Sequence, residues 1–207
     1  MLVTLAHGSR HPEAAPLIAD LTDQVAENLG VSSLCLDLLE PDLAPLEDVL
    51  ETGTTVTIVP LLFTQAFHAR VDIPALFDPI TQAYGEQVRF TDILGTGQDI
   101  AQLIVAKAQA DAPQAASYGL YSVGSSDKRA NDAVRELARE VSAILDKPVS
   151  VHFATGSRAV MPEDAEHFIP LFSTHGLLLD KLKDFPSVSA PLGLDLHDII
   201  LNRYLNS

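Results

Sequence analysis

The sequence predicts an α/β protein made of two similar β/α half-domains, each with a mainly parallel sheet of about four strands flanked by helices. Short β-branched or apolar runs alternate with longer amphipathic stretches, which is typical of β/α units around a parallel sheet. Three sequence blocks of the first half also recur, in the same order, in the second half. We therefore expect half-domains at 1–112 and 118–207 facing one central cleft, with DAPQAAS at 111–117 as the linker.

The individual elements follow from these runs. Helical spacing of apolar residues is clearest at 134–145, where charged residues fill the positions between them. The predicted strands cover 2–6, 34–39, 56–63 and 88–94 in the first half and 119–123, 149–154, 167–172 and 188–191 in the second. The clearest predicted helices cover 13–29, 100–110 and 129–145.

The repeated blocks indicate an internal duplication. HGSRHPEAAPLI near the start resembles VGSSDKRANDAV at 123–134, and VPLLFTQAFHARVD at 59–72 resembles IPLFSTHGLLLD at 169–180. ILGTGQDIAQLI at 93–104 resembles PLGLDLHDIILN at 191–202. The alternative is that any two β/α halves share glycine-bearing strand ends. Three matches in one order favour duplication, with the second copy degenerate.

Composition excludes several classes of protein. The 207 residues are 47% hydrophobic and 20% charged, which is ordinary for a globular chain. A net charge of −15 argues against a nucleic-acid binder, because such a protein needs a basic stripe. No apolar run approaches the roughly 18 residues of a membrane span, and the first residues carry no basic, cleavable leader. Cys35 is the only cysteine, which excludes an intramolecular disulfide. We expect a cytoplasmic protein.

The first chemical motif is AHGSR at 6–10, directly after the first predicted strand. In open α/β sheets, ligands bind beyond the carboxyl ends of the strands, and a glycine there lets the backbone approach a ligand closely. His7 falls at the strand tip, while Ser9 and Arg10 offer a hydroxyl and a guanidinium suited to carboxylates. The alternative is a simple turn and helix cap, with His7 a hydrogen-bonded turn residue.

A second motif, FHARVDIP at 67–74, follows the apolar strand VTIVPLLF. His68 therefore also lies just beyond a carboxyl end, and Arg70 brings a positive charge near it. Asp72 is expected to cap the next helix, with Pro74 in its first turn. Taken alone, His68 could be a loop histidine without a function. Two histidines at adjacent strand tips favour a shared site.

A third motif, LCLDLLEPD at 34–42, ends the second predicted strand. Asp37 lies inside an otherwise apolar strand, where burying an unpaired carboxylate costs several kcal/mol, so it needs a partner. Glu40 lies just past the tip. Either carboxylate is a candidate metal ligand or proton acceptor, and the alternative for both is a cap or a salt bridge. Two imidazoles and a carboxylate suit a borderline divalent ion such as Fe²⁺, Co²⁺ or Ni²⁺.

Together these motifs resemble the sirohydrochlorin chelatase (cobalto-/ferrochelatase) branch of the class II tetrapyrrole chelatases. The family's opening motif is of the type hGHGSRdPea, and this chain reads LAHGSRHPEA. The FLE-x-x-x-P-s motif is matched by CLDLLEPDL, with Asp37 in place of the usual Glu, and the G-x-H-x-x-x-DIP motif by QAFHARVDIP. With the PLG block at 191–193, the resemblance covers essentially the whole chain.

The resemblance implies a chelatase-like fold of flavodoxin-like topology and an enzyme of the lyase class. Its reaction is ATP-independent insertion of Fe²⁺ or Co²⁺ into sirohydrochlorin, in siroheme or cobalamin biosynthesis, so the metal is a substrate and no nucleotide is used. On matching positions, His7 and His68 would hold the ion and one of them would accept pyrrole N–H protons. Asp37 would complete the site or relay protons. Ser9, Arg10 and Arg70 would contact the tetrapyrrole.

The second half departs from this pattern. Val123 stands where the first half has His7, and Leu178 has no equivalent of His68, so we expect one site, in the first half. His175, in FSTHGLLL, lies at the matching strand tip and is a candidate to face the cleft opposite His68. Because both halves are in one chain, a monomer is expected.

Several other residues have weaker claims. Arg158, in ATGSR at 154–158, is a further candidate partner for the substrate carboxylates. His11 and His197 are less well placed for the site. Gln65 and Ala66 stand where glycines are common in the family, which bears on the preferred macrocycle.

Two alternative functions compete with that of a chelatase. A carrier that binds metal or tetrapyrrole without turnover fits the change from Glu to Asp at position 37 and the lost glycines. A histidine phosphatase also has HG after its first strand, but its chemistry needs an Arg immediately before the histidine, and here that residue is Ala6.

Overall fold

The computed structural model describes residues 1–65, 71–155 and 165–207. The chain forms two compact units, one of Met1–Gly95 with Leu194–Ser207 and the other of Thr96–Gly193. Each unit has a parallel sheet with helices packed on it, which confirms the predicted α/β class and the presence of two β/α parts.

The first unit is built on a four-stranded parallel sheet in the order β2-β1-β3-β4. The strands are β1 Leu2–Ala6, β2 Ser33–Asp37, β3 Val56–Pro60 and β4 Val88–Phe90. Every residue of β1 and β3 is buried, whereas the outer strands are partly exposed. This matches the sequence, since LVTLA and VTIVP are continuous apolar and β-branched runs of the kind that central parallel strands need.

Three helices of the first unit follow its strands: α1 Ala14–Leu29, α2 Ala44–Glu51 and α3 Ile73–Tyr84. In α1 the buried residues include Ile18, Leu21 and Val25, whose spacing forms one apolar face. The buried hydroxyls of Thr4 on β1 and Thr22 on α1 lie 2.6 Å apart, and Thr22 donates to the Ile18 carbonyl. Both polar groups are therefore satisfied inside the core.

The second unit has a three-stranded parallel sheet in the order β6-β5-β7. Its strands are β5 Tyr118–Ser122, β6 Val149–Phe153 and β7 His167–Pro170, and its long helices are α4 Gln98–Asp111 and α5 Lys128–Leu145. Gly119 on β5 has the Phe168 ring against it, and a β-carbon there would overlap that ring. Glycine is thus required by packing at this position.

The strand predicted at 188–191 is shorter than expected. In the described part of the chain it is a single parallel bridge between Phe168 and Val188, flanked by hydrogen bonds from Phe168 N to Ser187 O and from Ser189 N to Phe168 O. Pro186 and Pro191 bracket the segment, and proline lacks the N–H that a longer ladder needs.

The two compact units are not the two contiguous halves 1–112 and 118–207. Helix α4 belongs to the second unit and packs on α5 and β7, while the last helix, α6 His197–Leu205, belongs to the first and packs on α1 and β3. Arg203 of α6 donates to the carbonyls of Ile93 and Leu94, at 3.1 and 2.6 Å. Each unit therefore includes a helix from the other half of the sequence. The second unit contains α4, and the first unit contains α6.

None of the helices in the described ranges is both long and apolar enough to cross a membrane.

Candidate functional site

The carboxyl ends of three neighbouring strands meet at one edge of the first unit's sheet. Ala6 is the register partner of Asp37, and Leu38 N donates to Ala6 O at 3.1 Å. On the other side of β1, Leu61 N donates to Leu5 O at 2.8 Å. The loops after β1, β2 and β3 therefore start side by side, in agreement with the sequence prediction.

Gly8 brings the loop after β1 against the end of β2. Its φ of +88° lies in the left-handed region that favours glycine. A β-carbon at this position would lie 2.9 Å from Asp37 Oδ1 and 3.0 Å from Leu39 Cβ. From the sequence, we expected Gly8 to let a ligand approach the backbone closely. In the structure the group that lies close to Gly8 is the Asp37 carboxylate. The neighbouring His7 is exposed, with its Nδ1 3.3 Å from Gly8 O.

Asp37 has a backbone partner. It is the half-buried last residue of β2, and its Oδ1 accepts the N–H of Glu40 at 2.7 Å. This bond answers the requirement that a carboxylate in an apolar strand be paired, and it engages one of the two carboxylate oxygens. The Glu40 side chain is exposed, so this residue contributes its amide to the turn.

Ser9 and His11 shape the turn before α1. Ser9 Oγ accepts the His11 N–H at 3.2 Å, and His11 Nδ1 accepts the Glu13 N–H at 3.3 Å. The Ser9 bond matches the turn alternative given for this motif, whereas the N-cap residue of α1 is Glu13, which makes no side-chain capping bond. Arg10 lies between them, is exposed, and forms no ion pair with the described residues.

Three of the predicted residues, His68, Arg70 and Arg158, fall at 66–70 and 156–164, outside the described residues. Within the ranges that are described, no three His, Cys, Asp or Glu side chains are grouped so that they could hold a metal ion. The shared metal site of His7, His68 and Asp37 thus stays a prediction. Helix α3 starts where it was expected, with Asp72 at the N-cap position and Pro74 in the first turn, but the expected cap is wrong, because the Asp72 side chain makes no capping hydrogen bond.

The two remaining histidines have separate positions. His175 is a half-buried residue that follows β7 in the second unit. His197 starts α6, and its Nε2 lies 2.8 Å from Asn28 Nδ2 near the end of α1. Since α1 begins beside the His7 loop and is 16 residues, or about 24 Å, long, His197 lies at the far end of this helix from His7.

Leu39 was not singled out from the sequence. It follows Asp37 and Leu38, leaves half of its surface exposed at 50%, and contacts the Gly8 region. The signal was present in LCLDLLEPD, because the apolar run continues past the strand end, where a solvent-facing loop would be polar. An exposed leucine beside His7 makes this edge suited to an apolar ligand as well as a polar one.

Comparison with known proteins agrees with the motifs. A family model described as CbiX matches residues 1–111. A sirohydrochlorin ferrochelatase of Priestia megaterium is 25% identical over 221 residues, covering 97% of this chain and 82% of that protein.

Solved structures share the fold. SirB from Bacillus subtilis with Fe³⁺ has a TM-score of 0.76 at 20% identity, covering 99% of this chain and 94% of that one. The sirohydrochlorin chelatase SirB from Bacillus subtilis subspecies spizizenii in complex with cobalt has a TM-score of 0.74 at 20% identity, covering 99% and 92%. CbiX, described as the terminal enzyme of siroheme biosynthesis in denitrifying bacteria, has a TM-score of 0.71 at 19% identity, covering 100% and 98%.

These likenesses show a chelatase-type fold along the whole chain. The family model spans more than half of the 207 residues, including the HGSR, LCLDLLEPD and HARVDIP motifs. The resemblance drawn from those motifs is confirmed: the chain belongs to the CbiX family.

Proposed function

We propose that this protein is a sirohydrochlorin chelatase that inserts Fe²⁺ or Co²⁺ into sirohydrochlorin without ATP, in siroheme or cobalamin biosynthesis. The observation that carries the proposal is the shared sheet edge in a CbiX-family chain. There the loop with His7 and the end of β2 with Asp37 lie side by side, and the loop after β3 leads to His68. The relative named sirohydrochlorin ferrochelatase and the SirB structures with Fe³⁺ and cobalt support it.

The reaction exchanges one ion for two protons, because a divalent metal replaces the two N–H protons of the macrocycle. A neutral imidazole can ligate an ion, and it can also accept a proton near neutral pH. In our proposal His7 and His68 hold the incoming ion, and one of them accepts the two pyrrole N–H protons in turn and passes each to solvent. The exposure of His7 at the strand tip supports this role, since an ion in solution can reach this position.

We assign only one oxygen of Asp37 to the reaction, so Asp37 is not a bidentate ligand in this proposal. Its Oδ1 is engaged by the Glu40 amide, so Oδ2 is the oxygen that we assign to the ion or to proton relay. Gly8 keeps the carboxylate close to the His7 loop. The usual residue of the family at this position is Glu, which is longer than Asp. We propose that the close approach of Gly8 allows the shorter Asp37 to reach the ion.

The substrate contacts are assigned to the loops at the same edge. Arg10 is exposed and free of ion pairs with the described part of the chain, so its guanidinium can bind a carboxylate of the macrocycle. Ser9 and Arg70 are assigned to the same substrate, as is His175. We further propose that the protein acts in the cytoplasm as a monomer and has no nucleic-acid partner, in keeping with its net charge of −15.

An anaerobic absorbance assay with sirohydrochlorin and Fe²⁺, Co²⁺ or Ni²⁺ in turn tests the function. We expect catalytic conversion of many equivalents of sirohydrochlorin with iron or cobalt, at a rate well above the uncatalysed reaction. One equivalent of tetrapyrrole or metal bound without product would indicate a carrier instead. No binding and no conversion would contradict the proposal.

A further inference from the structure

His11 is hydrogen-bonded on both sides of the turn that joins the HGSR motif to α1. Its backbone N–H donates to Ser9 Oγ at 3.2 Å, and its carbonyl accepts the N–H of Ala14 at 3.0 Å. Its imidazole Nδ1 accepts the N–H of Glu13 at 3.3 Å. The residue therefore ties the loop on one side of the turn to the first residues of the helix on the other.

The bond from Glu13 determines where the His11 ring carries its proton. A backbone N–H can only donate, so Nδ1 must present its lone pair, and a neutral imidazole with a bare Nδ1 has its proton on Nε2. The lone pair of Nδ1 is thus engaged by the backbone. This atom of His11 is not the one that could bind an ion.

His7, four residues earlier, has the reverse arrangement. Its Nδ1 lies 3.3 Å from the carbonyl oxygen of Gly8, a group that can only accept. The neutral ring therefore carries its proton on Nδ1, and its lone pair is on Nε2. Metal-ligating histidines commonly have this form, in which one ring nitrogen donates to a carbonyl and the other binds the ion.

The corresponding turn of the second unit has a carboxylate in place of the His11 ring. Asp127 N donates to Ser125 Oγ at 3.0 Å, and Asp127 Oδ1 accepts the N–H of Arg129 at 2.9 Å. Both turns thus have a serine hydroxyl that accepts the N–H two residues on, followed by a side chain that accepts the N–H two residues further. Such an acceptor at the start of a helix stabilises it, and His11 supplies one without a negative charge.

The His11 bonds also determine how Arg10 is presented. Arg10 is exposed and lies between Ser9 and His11, whose hydrogen bond closes the turn around it. Without the Nδ1 acceptor the Glu13 N–H loses this partner and the start of α1 is less restrained. A less restrained Arg10 must be ordered when the substrate binds, which lowers the affinity.

We infer that the backbone holds His7 and His11 in opposite tautomers and that His11 is a positioning residue rather than a metal ligand. His7 keeps its Nε2 lone pair for an ion or a proton. His11 uses its Nδ1 lone pair to hold the turn that presents Arg10 to the macrocycle. The inference rests on the proposed function, because it divides ion binding and substrate positioning between the two rings.

Long-range ¹H–¹⁵N NMR spectra of the imidazoles, recorded at about pH 9, above the range in which histidine ordinarily titrates, test the tautomers without depending on turnover. The spectra of His7→Asn and His11→Asn assign the two rings. His11 should show a ring protonated at Nε2 and His7 a ring protonated at Nδ1. The same tautomer in both rings would overturn the inference.

His11→Asn and His11→Gln test the positioning role. The Asn amide oxygen can take the place of Nδ1 and accept the Glu13 N–H, whereas the Gln oxygen extends to the place of Nε2. His11→Asn should keep the affinity for metal-free sirohydrochlorin, and His11→Gln should weaken it about three- to tenfold. The affinity for Co²⁺ should be unchanged in both variants.

Equal affinities of the Asn and Gln variants for sirohydrochlorin would contradict the positioning role. A loss of Co²⁺ binding in His11→Asn would make His11 a metal ligand and would also overturn the inference. A protein with the expected tautomers and the expected difference between the two variants, but without any metal insertion, would contradict the chelatase proposal alone.

Discussion

The carboxyl edges of the two sheets have the same backbone plan. Gly8, two residues after β1, has φ +88°, and Gly124, two residues after β5, has φ +84°. Leu38 N donates to Ala6 O in the first unit, and Ala154 N donates to Ser122 O in the second. The strand orders β2-β1-β3 and β6-β5-β7 also correspond. This correspondence favours the predicted duplication.

The side chains on this common plan are different. Asp37 is paired in register with Ala6, and the corresponding partner of Ser122 is Phe153. The space beside Gly8 holds a carboxylate, while the space beside Gly124 holds Phe153 Cβ and the Thr155 carbonyl. His7 is replaced by Val123. The backbone alone therefore carries no chemistry, and at the corresponding described positions the second unit has Val123 and Phe153 in place of the proposed metal-site residues His7 and Asp37.

The histidines show the same division. His7 is exposed at a strand tip, whereas His167 of the second unit is 3% exposed at the start of β7. His167 Nε2 and Nδ1 lie 2.8 Å from the hydroxyls of Ser189 and Ser187. Because Ser189 donates to Asp111, it accepts from Nε2–H, and Ser187 donates to Nδ1. Such a satisfied, buried imidazole is structural.

The largest expected effect is from His7→Ala. Removing the imidazole should lower the insertion rate about a hundredfold or more, as loss of a general base and ligand does, while the unfolding midpoint stays unchanged because the side chain is exposed. His197→Gln, at the far end of α1, is the control and should keep its rate. Anaerobic insertion kinetics and thermal unfolding of both variants give the answer. A fully active His7→Ala protein would remove the distinction between the two edges.

Gly8→Ala and Gly124→Ala compare the edges directly. Both glycines have positive φ and a crowded β-carbon position, so each substitution should cost about 1–2 kcal/mol of stability. Gly8→Ala should also displace the Asp37 carboxylate. We therefore expect it to lower the metal insertion rate about tenfold more than Gly124→Ala does. Denaturant unfolding and kinetics at a temperature where both are folded measure the two effects. Equal activity losses would mean that the Gly8–Asp37 contact has no catalytic part.

Arg10→Ala should act on substrate binding. We expect the Michaelis constant for sirohydrochlorin to rise about tenfold, with a smaller effect on the maximal rate, because a charge-assisted hydrogen bond to a carboxylate is lost. Steady-state kinetics over a salt series measure this change. Arg89→Ala, in the outer strand β4, is the control. An unchanged constant would place the macrocycle elsewhere.

The smallest effect is on stability at mildly acidic pH. Burial lowers the pKa of His167 below its ordinary 6.5; the Asp111 carboxylate opposes this shift, and Lys107 adds to it. The unfolded chain therefore binds a proton at His167 more readily than the folded chain does. The contribution of neutral His167 to the free energy of unfolding is thus fully present above about pH 6.5 and decreases as the pH falls below that value. Urea unfolding of the protein and of His167→Gln between pH 5 and 8 tests this. The variant should lose that part of the pH dependence, and identical profiles would refute it.

Much of the fold could be predicted because local patterns determine it. The apolar runs at β1 and β3 and the amphipathic α5 have periodicities that leave little choice of element. The exchange of α4 and α6 between the units could not be predicted. The apolar face of either helix could pack on either sheet. The contacts that determine which sheet it packs on, such as that of Arg203 with Ile93, join residues 110 positions apart.

The candidate site was predictable in part. His7 and Asp37 could be placed at one edge, because parallel strands end on the same side, and the predicted position of His68 lies outside the described residues. The contact of Gly8 with Asp37 depends on strand order and register, which the sequence does not encode locally.

We propose that His7 and His68 hold one ion at the carboxyl edge of the first unit's sheet. Anaerobic calorimetric titration with Co²⁺ of the unaltered protein, His7→Ala, His68→Ala and the double variant tests it most directly. We expect one ion per chain and an affinity at least about tenfold weaker in each single variant, since even the outer partners of metal ligands change affinity by that much. The double variant should not bind measurably. Two ions per chain, or undiminished binding in either single variant, would contradict the shared site.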